Sequence, residues 1–239
     1  MDLTPPLELL RRAAFELGPL CDEVVFVGGA VLGLLLTEEL PEEDRFTEDV
    51  DFIVNVSTRA DYYAFTDRLL QQGFQHDMFG PVCRFKKLGL IVDAVPVEPA
   101  VIGFSNAWYP EGYAKAGLIS ISNEFQIRIL FAPAYLASKL EAFSSPTREF
   151  AGDMLASRDF EDIVTLINRR VELQDEFKLC STELREYTEL REYLVSALVK
   201  LLHSRDLEEG ISACLPSSMT GQQRRPLILD RLRHLAASQ

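Results

Sequence analysis

The sequence predicts a mixed fold of α/β (α+β) type, with a sheet-containing first part and a helical remainder. Three observations predict it. Apolar runs of strand length alternate with helix-patterned stretches up to about residue 130. Beyond Pro133 the pattern is mostly helical. A length of 239 residues with 47% hydrophobic content is ample for a buried core. The expected division is a first domain over residues 1–130 and a helical domain over residues 131–239.

Taken in order, an amphipathic helix is expected over about Leu7–Leu17, then an apolar strand, Glu23–Val27. After Gly28-Gly29 a helix is expected from Ala30 to about Glu39, stopping before Pro41 because proline cannot continue it. The acidic Glu42-Glu43-Asp44-Arg45 loop leads to a strand over Val50–Val56. Ser57 or Thr58 caps a helix, Arg59–Gln72, which Gly73 ends. Short strands are expected at Phe74–Asp77, Val82–Lys86 and Leu90–Val97. Pro99–Gly117 reads as an irregular excursion with exposed Trp108 and Tyr109. Helices follow at about Pro133–Phe143, Ser157–Arg170 and Glu183–His203, then a loop over Gly210–Arg225 and a short helix over Pro226–Ala236.

Composition excludes several function classes. No apolar run approaches the roughly 18 residues needed to span a bilayer, and the N-terminus lacks the basic start and apolar core of a signal peptide. Cys21, Cys83, Cys180 and Cys214 are scattered, so neither a zinc knuckle nor a disulfide framework is indicated. A reducing cytoplasm is the expected setting. The net charge of −13, from 24 basic and 37 acidic residues, argues against an extended non-specific nucleic-acid surface. It leaves room for a local basic groove, and the densest basic cluster is Arg224, Arg225, Arg231, Arg233 and His234.

The chemistry concentrates in two short stretches. Val24-Val25-Phe26-Val27 runs into Gly28-Gly29, and Thr47-Glu48-Asp49-Val50-Asp51 begins the next strand. Residues two apart on a strand share a face, so Asp49 and Asp51 present adjacent carboxylates that repel without a cation. Mg²⁺ is commonly held by one or two carboxylates plus substrate phosphates. The glycines allow close backbone approach to phosphate, and a helix opening after them would aim N–H groups at the same anion. Asp93 adds a lone carboxylate inside the apolar strand Leu90–Val97. Each feature has a plainer reading: a tight turn, a solvated strand edge, a buried aspartate bonded to backbone amides.

Gly28-Gly29, Thr47-x-Asp49-x-Asp51 and Asp93 resemble the nucleotidyltransferase signature of the DNA polymerase beta superfamily. Leu136-Ala137-Ser138-Lys139-Leu140 and Ser157-Arg158-Asp159-Phe160-Glu161-Asp162-Ile163 narrow the resemblance to abortive-infection (AbiEii-type) toxin nucleotidyltransferases. It spans roughly Val24 to Ile167. The resemblance implies a small mixed sheet flanked by helices, followed by a helical domain, with the site in the cleft between them. It implies that Gly28 and Gly29 hold the triphosphate, that Asp49, Asp51 and Asp93 ligate Mg²⁺, and that Asp93 also helps activate the nucleophile. Lys139 would neutralise triphosphate charge, and Asp159 or Asp162 would be a further site residue. Gly-Gly stands where many superfamily members have Gly-Ser, so one hydroxyl contact to phosphate is absent. From the residues alone, Lys139 could equally be a helix-edge lysine, and Asp159 and Asp162 could simply favour a helix start.

The expected activity is transfer of a nucleoside monophosphate from an NTP to an acceptor hydroxyl on tRNA or protein, as in the toxin of a toxin–antitoxin pair with an antitoxin partner. A small acceptor such as an aminoglycoside, or a non-catalytic nucleotide-binding domain, are the alternatives.

Overall fold

The computed structural model describes residues 5–39, 47–179 and 186–237. The expected loop Glu42–Arg45 and the start of the expected helix at Glu183 lie outside the described residues. Two compact units emerge, with residues 5–34 and 47–131 in the first and the other described residues in the second.

The first unit is built on seven strands: β1 (Val24–Val27), β2 (Val50–Val54), β3 (Gln75–His76), β4 (Arg84–Lys87), β5 (Leu90–Pro96), β6 (Gly117–Ser120) and β7 (Gln126–Ile129). Their order is β3-β4-β5-β2-β1-β7-β6. Parallel pairing joins β1 to β7 and β2 to β5, and the other neighbours are antiparallel, so the sheet is mixed. β1 is buried at every position, as its unbroken apolar run requires of a central strand. Helices α1 (Pro6–Leu17), α2 (Leu32–Leu35), α3 (Arg59–Gln71), α4 (Pro99–Ile102) and α5 (Tyr109–Ala114) complete the early part of the chain. Thr58 caps α3 by accepting from the Asp61 amide, and Gly73, at φ 88°, turns the chain out of it.

The second unit is helical: α6 (Ala132–Ser144), α7 (Arg158–Arg169), α8 (Leu173–Leu179), α9 (Glu186–Leu202), α10 (Leu207–Ala213), α11 (Met219–Gln222) and α12 (Arg225–Ala236). α6 is its most apolar segment, buried at ten positions, and packs against α7, α8 and α9. Ser157 caps α7 by accepting from the Phe160 amide, and Asp159 and Glu161 occupy the first turn, where the helix dipole favours them. Among the described residues no helix is long and apolar enough to cross a membrane.

Several expectations are corrected. The helix expected over Ala30–Glu39 is a 3₁₀ turn, Gly29–Val31, and one α-turn, α2. The Arg169 carbonyl takes the Thr37 and Glu38 amides at 3.0 and 2.8 Å, a tertiary contact in place of helix continuation. β6 and β7 were not anticipated: β6 is exposed or half-exposed throughout and lacks apolar alternation. The stretch Pro99–Gly117 contains α4 and α5, and Trp108 and Tyr109 are half-buried. Gly210–Arg225 is partly helical, because Leu207, Gly210 and Ile211 make a buried face for α10.

Candidate active site

In the first unit, one row across the sheet collects the chemistry. Asp51 on β2 pairs with Val27 on β1 and with Asp93 on β5, and Asp93 pairs in turn with Arg84 on β4. Register partners share a face, so these side chains emerge together. Asp49 precedes β2 by one residue and is 30% exposed. Thr47 steadies it, donating its hydroxyl to the Asp49 carbonyl at 3.2 Å.

Gly28 closes the row. Its backbone lies at φ 74°, the left-handed region that favours glycine, and a Cβ there would fall 2.0 Å from Asp51 Oδ2. The position therefore demands glycine twice over, for conformation and for space. Gly29, next along, opens the 3₁₀ turn.

Arg84 joins the carboxylates. Its Nε donates to Asp93 Oδ1 at 2.8 Å and its Nη2 to Asp93 Oδ2 at 2.7 Å, a two-point grip. The same Nη2 donates to Asp49 Oδ2 at 2.8 Å. Burial pushes the Asp49 carboxyl above its ordinary value; the Asp93 charge adds to this and Arg84 opposes it. Hydrogen bonding to Asp93 raises the Arg84 guanidinium further, so it stays charged. Burial, then the Asp93 and Asp51 charges, push the neighbouring Cys83 thiol up to about 12, so it is no nucleophile at neutral pH. Tyr62 pins β5 beside Asp93 by donating to the Ala94 carbonyl at 2.9 Å.

The donor set suits a hard divalent cation, since three carboxylates offer only oxygen ligands. The guanidinium already stands as a cation between two of them. Among the described residues no group of three or more His, Cys, Asp or Glu side chains is drawn together as a set of metal ligands. Sequence reasoning missed Arg84. The signal was the Lys87-Leu88-Gly89-Leu90 turn, with φ of 51° at Leu88 and 82° at Gly89, which puts Arg84 opposite Asp93. Leu-Gly lacks the Asn-Gly or Asp-Gly pattern that advertises such a hairpin.

The second unit brings Lys139, Asp159 and Asp162 together. Lys139 Nζ lies 2.9 Å from Asp159 Oδ1 and 2.7 Å from Asp162 Oδ2. The Tyr135 hydroxyl donates to Asp162 Oδ2 at 3.2 Å, and the ammonium sits 5.8 Å from the Tyr135 ring centroid. The Lys139 side chain is 13% exposed and that of Asp162 only 2%. Burial pulls the Lys139 ammonium down, but Asp162, Tyr135 and Asp159 outweigh it and hold it well above its ordinary range. Asp162 thus belongs to the buried face of α7, between Phe160 and Ile163, rather than to a solvated helix start.

The C-terminal basic cluster is largely consumed within the unit. Arg224 grips Glu38 at 2.7 and 2.6 Å and donates to Asn168 Oδ1 at 2.6 Å. Arg231 donates to the Ile167 and Asn168 carbonyls. Arg225 donates to Ser212 Oγ at 3.3 Å, while Arg233 is exposed.

The family model described as nucleotidyl transferase AbiEii toxin, type IV TA system, matches residues 8–231. No curated protein matches. Among solved structures, a candidate nucleotidyltransferase from Helicobacter pylori is similar at 12% identity and a TM-score of 0.46, with 97% of this chain and 93% of that chain covered. JHP933 from Helicobacter pylori is similar at 17% identity and a TM-score of 0.43, with 99% and 97% covered. The family match takes in the carboxylate row, Arg84 and the Lys139 cluster alike, and on it the chain belongs to the AbiEii nucleotidyltransferase toxin family of type IV toxin–antitoxin systems.

Proposed function

We propose that this chain is a Mg²⁺-dependent enzyme that transfers a nucleoside monophosphate from an NTP to an acceptor hydroxyl and releases pyrophosphate. The observation that supports it most is the row of Asp51 and Asp93 against Gly28, with Asp49 tied to Asp93 through Arg84. Phosphoryl-type transfer needs positioning and charge neutralisation more than covalent chemistry from the protein. Asp49, Asp51 and Asp93 would hold the metal, which when bound neutralises the phosphates and the departing pyrophosphate. The acceptor oxygen bonds to the α-phosphorus as the bond from that phosphorus to the bridging oxygen breaks, and Asp93 takes the hydroxyl proton. Gly28 and Gly29 let the backbone approach the triphosphate. Family membership supports a phosphate-neutralising role for Lys139, with Asp159 and Asp162 holding its ammonium in place.

The acceptor we propose is macromolecular, a hydroxyl on tRNA or protein in the cytoplasm, with an antitoxin as the biological partner. A small-molecule acceptor is the second reading, favoured by the net charge of −13 and by the internal use of Arg224 and Arg231. The test is incubation with each α-³²P-labelled NTP, Mg²⁺ and, separately, bulk tRNA, cell protein or aminoglycosides. Label should enter one class and disappear with EDTA and in Asp51→Asn. Labelling that persists in excess EDTA would overturn the metal assignment, and no labelling of any class would overturn the transfer.

A further inference from the structure

We infer that the loop between β3 and β4 is the acceptor platform of this site, with the Phe79 ring stacking on a nucleobase of an RNA acceptor. The inference rests on the nucleotidyltransferase reading and adds the residue that positions its acceptor.

The loop is braced, and its apolar side chains are left outside. The Asp77 amide donates to the Arg84 carbonyl at 3.0 Å and the Arg84 amide to the Pro81 carbonyl at 2.9 Å. The Asp77 carboxylate accepts the Phe79 amide at 3.2 Å and pairs with Lys86 at 2.7 Å. On this frame Phe79 is fully exposed, Met78 is 84% exposed and Val82 55%. A single exposed apolar residue is ordinary on a surface. Three within five residues, on a loop whose backbone is tied down, form a platform that loses little freedom when something docks.

Its position decides what it meets. Gly80 follows Phe79, and a Cβ there would fall 2.8 Å from Arg84 Cδ. The loop therefore lies against the stem of the arginine that grips Asp93. Across the sheet the order runs Gly28 just after β1, Asp51 on β2, Asp93 on β5 and Arg84 on β4. With the triphosphate at Gly28 and the acceptor proton taken by Asp93, the acceptor enters from the β4 side, past Phe79.

Composition favours a base there. From Met78 to Val82 no side chain carries a hydroxyl, an amide or a charge, so the loop offers a flat ring and a polarisable sulfur. Every nucleobase has a π-face to lay on such a ring. Met78 to Val92 holds Arg84, Lys86 and Lys87 and no acid, which lessens repulsion of the acceptor's phosphates in a chain of net charge −13. Lys86 and Lys87 are themselves paired with Asp77 and Glu16. Stacking rather than phosphate neutralisation then supplies the affinity, and its salt dependence should be shallow.

The probe is a short single-stranded oligoribonucleotide ending in 2-aminopurine, whose fluorescence is quenched on stacking, titrated in Mg²⁺. Wild type should bind and quench it. Phe79→Ala should bind on the order of tenfold more weakly, with the quenching lost. Its Tm should not change, because a fully exposed ring supports no packing. Phe79→Trp should restore both binding and quenching. An oligonucleotide with an abasic 3′ end should lose as much affinity for wild type as Phe79→Ala loses, and no more with that variant. In the labelling assay Phe79→Ala should raise KM for bulk tRNA and leave KM for NTP as it is. Equal oligonucleotide binding by wild type and Phe79→Ala, or none by wild type, would overturn the platform and leave the nucleotidyltransferase reading intact. A rise in KM for NTP instead would put the donor base on the ring, and a loss of labelling confined to cell protein would give the loop to a protein acceptor; either overturns the inference. No labelling of any acceptor by wild type would overturn the transferase reading itself, and the oligonucleotide titration keeps the two failures apart.

Discussion

The carboxylate row of the first unit and the lysine cluster of the second use the same ingredients in opposite proportions. In the first, three aspartates face one arginine, and Asp49 and Arg84 remain about a quarter exposed. In the second, two aspartates enclose one lysine under almost complete cover, with Tyr135 adding a hydrogen bond and its ring. The first arrangement is partly open to water. The second is enclosed, and its members depend on one another. Pairing alone therefore says little; what separates the two is whether water can reach the charges.

The largest effect expected is on the second cluster. Lys139→Met takes the ammonium from the buried Asp162 and the half-buried Asp159, and breaking a buried pair in this way costs about 3–5 kcal/mol. Thermal melting should show it plainly, whereas Asp51→Asn, which removes a repelling charge from the row, should melt at or above wild type. A Lys139→Met protein of unchanged stability would break the comparison, because the enclosed cluster would then not depend on its cation.

A smaller loss is expected at Gly28. In Gly28→Ala the new methyl would press on Asp51 Oδ2 while the backbone stays in an unfavourable region, at a cost of about 2 kcal/mol. Because the clash falls on Asp51, Mn²⁺ affinity should drop as well, and a Mn²⁺ titration of the variant checks it. Lost stability with unchanged metal binding would separate the glycine from the row.

The smallest effect concerns a third pair, Glu38 with Arg224. Hydrogen bonding from Arg224 holds the Glu38 carboxyl below its ordinary range, although partial burial opposes it. The folded protein thus takes up this proton less readily than the unfolded chain. The pair's contribution is complete above the unfolded carboxylate range and lost as pH falls through the folded value. Glu38→Gln should destabilise by about 1–2 kcal/mol at pH 7, with the melting difference from wild type shrinking toward zero on acidification. A difference independent of pH would show that shape, not charge, matters there.

Much of the fold and of the row was legible in the chain. Val24–Val27 reads as a buried strand and is one, because an unbroken apolar run needs cover on all sides. The Thr58 and Ser157 caps mark the starts of α3 and α7, since a hydroxyl two or three residues ahead of an unpaired amide is a local arrangement. Asp49, Asp51 and Asp93 stood out because carboxylates within apolar strands are costly unless partnered. β6 and β7 were illegible: β6 is an exposed edge, and the pairing of β7 with β1 joins segments a hundred residues apart.

Local spacing thus set which residues carry charge and which helices and strands they ride on, because caps, turns and apolar periodicity act over a few residues. Tertiary structure alone decided their partners. Only the β4–β5 register delivers Arg84 to Asp93, and only the packing of α6 on α7 turns Lys139 toward Asp159 and Asp162. Packing likewise draws Arg224 and Arg231 inward, although their spacing along the chain suggested a binding surface. A charge's role follows from what neutralises it, and its neutralising partner is chosen in three dimensions.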